Sequence, residues 1–180
     1  YFNRSNIDAY NRTLNWGLKL GILISFPTMF GLIILSDPIL ITLLKYKEFT
    51  LNDVYMTSIA LIAFSIGLPG MIGSKILITN YYSRKDTKYP VKAALIAVLC
   101  NFVLNIAFVV YLVKTDFNGV HIGLAVATSL SAYVNFFFLF KNAVKTKIFN
   151  MDQDIVFYIL KSVIATIVMS AFLLYFDLSK

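Results

Sequence analysis

The sequence predicts an all-α integral membrane protein, a polytopic helix bundle with five transmembrane helices. Hydrophobic residues make up 59% of the 180 residues and charged residues only 14%. Five apolar stretches each approach or exceed the ~20 residues that a helix needs to cross the hydrocarbon core. Short loops that carry lysine and arginine separate them. A chain of this length cannot bury five helices that are apolar on all sides in one water-soluble core.

The first predicted span covers residues 14–35. Its Gly17 and Gly21 are spaced to allow a close approach of another helix. Pro27 lies mid-span, where it frees a backbone carbonyl and is expected to bend the axis. The apolar run 39–44 that follows is too short to cross a membrane, so it is predicted to be a helix extension or an interfacial turn.

The second predicted span, 54–79, contains the residues that most disturb a helix. Gly67, Pro69, Gly70 and Gly73 fall within seven positions, so this span is predicted to bend. Helix breakers are tolerated in lipid only where neighbouring helices or a water-filled cavity satisfy the freed backbone groups. A moving hinge and a static packing kink both remain open at this point.

The third, fourth and fifth predicted spans cover 93–113, 120–140 and 155–176. Polar and small residues within the third and fourth are expected to serve helix packing. The asparagines are expected to form hydrogen bonds between helices, and the small residues to form a contact stripe. The asparagines are Asn101, Asn105 and Asn135, and the stripe is Gly123, Ala127 and Ser131.

Basic residues predict the orientation of the bundle. With alternate loops assigned to alternate sides, the first side receives Arg4, Arg12, Arg84, Lys85, Lys88, Lys92, Lys141, Lys145 and Lys147, and the second receives Lys45, Lys47, Lys114 and Lys180. The positive-inside rule makes the first side cytoplasmic. The N-terminus of this chain is then inside and its C-terminus outside, and the net charge of +7 requires no nucleic acid as partner. The chain is expected to be an internal piece of a longer membrane protein.

No catalytic constellation, metal site or cofactor motif is predicted. His121 is the only histidine, and no Walker, GxSxG or dinucleotide-binding pattern occurs. Lys75 is the sharpest candidate for function, because a cation inside a span is costly and would suit an anionic substrate in a central cavity. Its alternative is snorkelling to the interface, as expected for Lys19 and favoured for Lys161. Arg84, Lys85, Asp86 and Lys88 form a short loop whose expected role is to set topology and meet anionic headgroups.

Several motifs in the same order resemble those of the MurJ (MviN) family of lipid II flippases, part of the multidrug, oligosaccharidyl-lipid and polysaccharide exporter superfamily. The most specific is the loop from Tyr81 to Lys92, which is similar to the family's FYSR.DT.TPV pattern with Tyr81 where Phe is usual. The others are Asn15-Trp16-Gly17-Leu18-Lys19-Leu20, Phe26-Pro27, Ser36-Asp37-Pro38, Tyr46-Lys47-Glu48-Phe49-Thr50, Gly67-Leu68-Pro69, Gly123-Leu124-Ala125-Val126-Ala127-Thr128 and Asn135.

The resemblance implies a fourteen-helix transporter of which this chain holds about spans nine to thirteen. Residues 1–140 would belong to the second six-helix lobe, 141–154 would be a cytoplasmic linker, and 155–180 would be an appended transmembrane helix that helps form a lipid-tail groove. It further implies outward flipping of undecaprenyl-diphosphate-linked peptidoglycan precursor across the bacterial inner membrane by alternating access. The N-terminal lobe of the same protein would be a necessary partner.

Lys75 would then help to receive the diphosphate, and Gly67, Pro69, Gly70 and Pro27 would allow bending. Coupling to the membrane potential or to ions stays open. Three alternatives also stay open, namely a flippase for O-antigen-type lipid oligosaccharides, a cation-coupled drug exporter and an inactive membrane fragment.

Overall fold

The computed structural model describes residues 4–44, 46, 49–115, 119–146, 149, 152 and 154–177, with side chains between Asn11 and Tyr175 in those ranges. Over these residues the chain forms seven α-helices and no strand, which confirms the all-α prediction. They are α1 (Arg4–Ile34), α2 (Ser36–Leu44), α3 (Leu51–Ile66), α4 (Leu68–Ser83), α5 (Lys88–Lys114), α6 (Val120–Lys145) and α7 (Asp154–Asp177).

Within the described ranges, four helical segments are individually long and apolar enough to cross a membrane. They are Asn11–Ile34 of α1, all of α5 and α6, and Asp154–Tyr175 of α7. Helices α3 and α4 pass the same criterion together and meet at an angle of 41°. Counted as one bent span, this pair brings the number to the predicted five, and the bend lies at the predicted glycines and proline.

The run after the first span follows the prediction. A single residue, Leu35, separates α2 from α1, so residues 39–44 are a helix extension. Helix α1 continues through Pro27 without a break, and a bend at this proline stays a prediction. Helix α3 begins at Leu51, three residues before the predicted span. Its start is set by Thr50 and Asp53, because each side chain accepts a hydrogen bond from the other's backbone N–H group.

One helix extends beyond the span predicted from the sequence. Helix α6 continues through Lys145, so the first five residues of the predicted linker 141–154 are helical. The cause is packing, because Ala143 is 2% exposed and extends the buried face of α6. Of the basic residues behind the predicted orientation, Lys45, Lys47, Lys147 and Lys180 lie outside the described residues, as does the side chain of Arg4.

The helices pack so that α1 lies between α7 and α4, while α6 lies against α3, α4 and α5. The main buried cluster lies where α1, α5 and α7 begin and where α4 and α6 end, and we name this the Tyr81 end of the bundle. Its members are Leu14, Leu18, Leu77, Tyr81, Ala93, Leu139, Ala143, Phe149 and Ile155. The charge pattern predicts that this end is cytoplasmic.

Candidate functional site

The α3–α4 bend, formed by Gly67 and Pro69, frees backbone carbonyls that α6 satisfies. The Ser129 hydroxyl donates to the Ala63 carbonyl at 2.6 Å, and the Tyr133 hydroxyl donates to the Ile66 carbonyl at 2.7 Å. Ser129 and Tyr133 are one helical turn apart on α6, so one face of α6 supports the whole bend. The sequence reasoning missed both residues, although two hydroxyls at this spacing are a usable signal.

The glycines at the bend allow close contact between α4 and α6. A methyl group added at Gly67 would lie 2.8 Å from the Cα of Ser129, and one added at Gly70 would lie 3.1 Å from the backbone nitrogen of Tyr133. At Gly73 it would lie 2.6 Å from the Phe136 ring. These glycines are therefore required by packing, and the structure places them at the bend without testing whether the bend moves.

Lys75 lies on α4 and is exposed. The contacts of α4 with α1 run through Ile72 and Ile76, and those with α6 run through Gly70 and Gly73. Lys75 lies between Ile72 and Ile76 in the sequence, but its own side chain remains exposed in the described part of the chain.

Cavities adjoin α4 on more than one side. An apolar cavity of about 280 Å³ lies between α1, α4, α6 and α7 and includes Pro69, Gly70 and Gly73 in its wall. A second, of about 330 Å³, lies between α4, α5 and α6. The second is lined partly by polar groups, namely Asn101, Thr128, Ser131 and Asn135.

Asn101 confirms the prediction of hydrogen bonds between helices. Its amide donates to the Thr128 and Ser131 hydroxyls of α6 at 3.4 and 3.3 Å. Asn105 instead donates to Asn101 within α5, at 2.9 Å. The buried side-chain oxygen of Asn135 accepts no hydrogen bond from the described part of the chain, so the prediction is not confirmed there. The small-residue stripe of α6 does pack as predicted, since a methyl group at Gly123 would lie 2.8 Å from Phe108 of α5.

Lys19 has a more specific contact than the predicted snorkelling. Its side chain is 15% exposed, and its ammonium donates to a carboxylate oxygen of Asp152 at 2.6 Å. A carboxylate oxygen of Asp154 lies 3.8 Å away, and the Tyr158 ring centroid lies 5.1 Å away. The hydrogen bond from Lys19, followed by that from the Asp154 backbone, holds the pKa of the Asp152 carboxyl below its ordinary value. The sequence reasoning missed this cluster because its two sides are 133 residues apart.

Lys161 is exposed on α7, and its ammonium lies over the Phe157 ring at 4.5 Å from the centroid. An exposed ammonium over an aromatic ring of its own helix agrees with the interfacial role favoured from the sequence. Whether α7 contributes to a lipid-tail groove stays a prediction.

Backbone hydrogen bonds from the loop between α4 and α5 satisfy carbonyls at the C-terminal end of α4. The N–H groups of Lys85 and Asp86 donate to the carbonyls of Tyr82 and Tyr81, and Lys85 has a φ of 60°. A residue in this left-handed conformation commonly ends an α-helix and is usually glycine, whereas here it is Lys85. Asp86 accepts a hydrogen bond from the Tyr89 backbone at 3.3 Å and so helps to start α5.

Among the residues that the structure describes, no group of three or more His, Cys, Asp or Glu side chains could hold a metal ion. The arrangement comprises a bent spanning helix pair, an exposed cation on α4 and cavities beside that helix. These features define a multi-pass membrane protein.

Comparison with known proteins identifies the family. A family model described as lipid II flippase MurJ matches residues 1–179. The chain therefore belongs to the MurJ lipid II flippase family, a family of transporters and not of enzymes, which confirms the resemblance found in the sequence.

Individual relatives carry the same description. The chain is 35% identical over 177 residues to a probable lipid II flippase MurJ of Vibrio cholerae, covering 96% of this chain and 32% of the relative. It is 34% identical over 173 residues to the corresponding protein of Haemophilus influenzae, with the same two coverages. A lipid II flippase MurJ of Thermosipho africanus is 35% identical over 130 residues, which cover 72% of this chain and 26% of that protein. The chain thus spans about a third of the length of the first two relatives.

Proposed function

We propose that this chain is part of a flippase that carries lipid II from the cytoplasmic to the outer leaflet of the bacterial inner membrane by alternating access. Family membership supports the substrate class, and the α3–α4 bend supports a helix able to change its angle. The N-terminal lobe of the same protein would supply the opposite wall of the path. Residues 1–140 would form part of the second lobe, and α7 would be the appended helix.

The observation that carries the proposal is the exposure of Lys75 within the spanning pair α3–α4. A cation inside a span is costly unless it faces partner groups or a water-filled path. We therefore assign Lys75 to the substrate path, where its ammonium would bind the anionic diphosphate that links prenyl chain and sugar.

Complementation in a strain depleted of its own flippase tests this role. Lys75→Ala in the full-length protein is expected to lower lipid II translocation roughly tenfold or more, because a hydrogen bond to a charged group contributes about 1.5–3 kcal/mol. Translocation is measured as the fraction of precursor that an externally added lipid II-cleaving enzyme can reach. Lys75→Arg keeps the cation and is expected to retain most of the activity.

Lys161→Ala is the matched control, because Lys161 is also an exposed lysine within a spanning helix. It is expected to leave translocation close to that of the parent protein. Membrane levels of every variant are compared by immunoblot. Normal translocation by Lys75→Ala would contradict the assignment and favour an interfacial position for this lysine.

A further inference from the structure

The first turn of α7 is held on α1 by polar groups from both sides. Lys19 of α1 forms the ion pair with Asp152 at 2.6 Å, and the side-chain oxygen of Asn15 accepts the Asp152 backbone N–H at 3.2 Å. Asn15 and Lys19 are one helical turn apart on the same face of α1. Together they bind both the side chain and the backbone of Asp152.

Asp152 also starts the helix that it docks. Its other carboxylate oxygen accepts the Asp154 backbone N–H at 3.4 Å, and its carbonyl accepts the Ile155 N–H at 3.1 Å. These bonds satisfy backbone donors that the first turn of any helix leaves free. A displacement of Asp152 from Lys19 would therefore move the beginning of α7 with it.

The Lys19 ammonium depends on its ion pair with the Asp152 carboxylate. The Lys19 side chain is only 15% exposed and lies within a spanning segment, where a cation that loses its partner is unfavourable. Asp154, at 3.8 Å, is too distant for a hydrogen bond of ordinary length. Asp152 is therefore the principal partner.

The position of α7 determines one wall of the apolar cavity. Ile155 and Ile159 of α7 line it opposite Gly70 and Gly73 of α4. Of the described helices, only α1 lies alongside α7. The docking of α7 on α1 thus decides whether the cavity is closed on this side.

We propose that Lys19 and Asp152 form a latch that positions α7 against α1 and closes the apolar cavity beside the α3–α4 bend. Lys19 is a positioning residue here, since it acts through α7. Opening the latch would release the start of α7 from α1 and expose the cavity sideways to lipid. The proposal concerns the placement of α7 and holds whatever substrate the protein carries.

Distance measurement between spin labels tests the latch in the full-length protein in lipid nanodiscs. Labels at Val103 on α5 and Val168 on α7 occupy positions that are 63% and 65% exposed, so they should not disturb packing. Cys100 and any other cysteines are replaced beforehand. We expect one narrow distance distribution in the parent protein, and a second population at a different distance in Asp152→Asn and in Lys19→Gln.

Exchange of the two charges separates pairing from a general loss of stability. The double variant Lys19→Asp with Asp152→Lys is expected to recover the narrow distribution at least in part, whereas either single charge reversal broadens it. Lys161→Gln is the matched control, since the ammonium of this lysine lies over the Phe157 ring of its own helix, and it should leave the distribution unchanged. Asp154→Asn should have a smaller effect than Asp152→Asn.

Two results would overturn the latch. The first is an unchanged distribution in Asp152→Asn and Lys19→Gln, which would mean that apolar packing alone holds α7. The second is equal broadening in the double variant and in the single reversals. Asp152→Asn keeps the test informative if the Lys19 variants fail to accumulate, because Asp152 lies outside the spans and its side chain is 43% exposed.

Discussion

The side chain of Tyr81 makes two hydrogen bonds that a phenylalanine could not make. It is 2% exposed, and its hydroxyl donates to the Leu139 carbonyl at 3.0 Å and accepts from the Asn142 amide at 3.0 Å. Its ring stacks on that of Tyr89 with centroids 5.7 Å apart. One hydroxyl thus joins the end of α4 to the end of α6, where the family's loop pattern has phenylalanine.

Tyr81→Phe is expected to destabilise this protein, although phenylalanine is the usual family residue. The change removes the hydrogen bond that the Tyr81 hydroxyl donates to the Leu139 carbonyl, and it removes the acceptor of the Asn142 amide, at a cost of about 1–2 kcal/mol. The melting temperature of the purified full-length protein in detergent is the measurement. Tyr82→Phe is the matched control, because Tyr82 is 52% exposed and should tolerate the change. Equal melting temperatures for Tyr81→Phe and the parent would contradict the expectation.

Helices α3, α4 and α6 act together at the bend. The glycines bring α6 close enough for Ser129 and Tyr133 to reach the carbonyls of α3. A bend in lipid without such partners would expose unsatisfied carbonyls to hydrocarbon. Any change of the bend angle must therefore exchange these two hydrogen bonds for others, which identifies α6 as the helix that would control a hinge.

Gly67→Ala tests how closely α4 and α6 must approach. The added methyl group would lie 2.8 Å from the Ser129 Cα, a backbone atom that cannot move by itself, so we expect a loss of about 1–3 kcal/mol. The reduction in melting temperature reports it. Gly17→Ala is the control, because its methyl group would meet Ile76 at 3.4 Å, an ordinary contact distance. A Gly67→Ala protein as stable as Gly17→Ala would show that the helices can separate freely.

Taken as a bundle, the molecule has its main buried cluster at the Tyr81 end, where the basic loop 84–88 also lies. Helix α1 packs against α4 and against α7. The outer faces of α5 and α7 carry exposed apolar side chains along their length, such as Phe102, Val103, Ile167 and Val168. Such faces are expected where a helix meets lipid or another part of the same protein.

The predicted orientation is testable with two cysteine substitutions. Lys88→Cys at the start of α5 and Lys114→Cys at its end occupy exposed positions at opposite ends of one spanning helix. In whole cells of a Cys100→Ser background, a membrane-impermeant maleimide should label Lys114→Cys and not Lys88→Cys. Both should react after the membrane is disrupted. Labelling of Lys88→Cys in intact cells would reverse the orientation.

Local patterns in the sequence predicted much of this molecule. The five spans, the short extension after the first and the bend at Gly67 and Pro69 depend on segment length and backbone chemistry, which act within one helix. The packing of Gly17, Gly21 and Gly123 also followed, because small residues at helical spacing allow close approach wherever the partner helix lies. Lys75 was selected as a candidate because a cation within an apolar run stands out without any knowledge of the fold, and its role in substrate binding stays a prediction.

The identity of each partner could be decided only by the tertiary structure. In the sequence, Ser129 and Tyr133 are ordinary polar residues, and only the structure shows that they donate to free carbonyls of α3. In the sequence, Lys19 resembles a snorkelling lysine, and only the structure shows that Asp152 lies beside it. The continuation of α6 to Lys145 likewise accompanies packing, since Ala143 is 2% exposed in the buried face of that helix. A sequence records which groups a helix carries, whereas the energy of burying them depends on which distant groups the fold brings into contact.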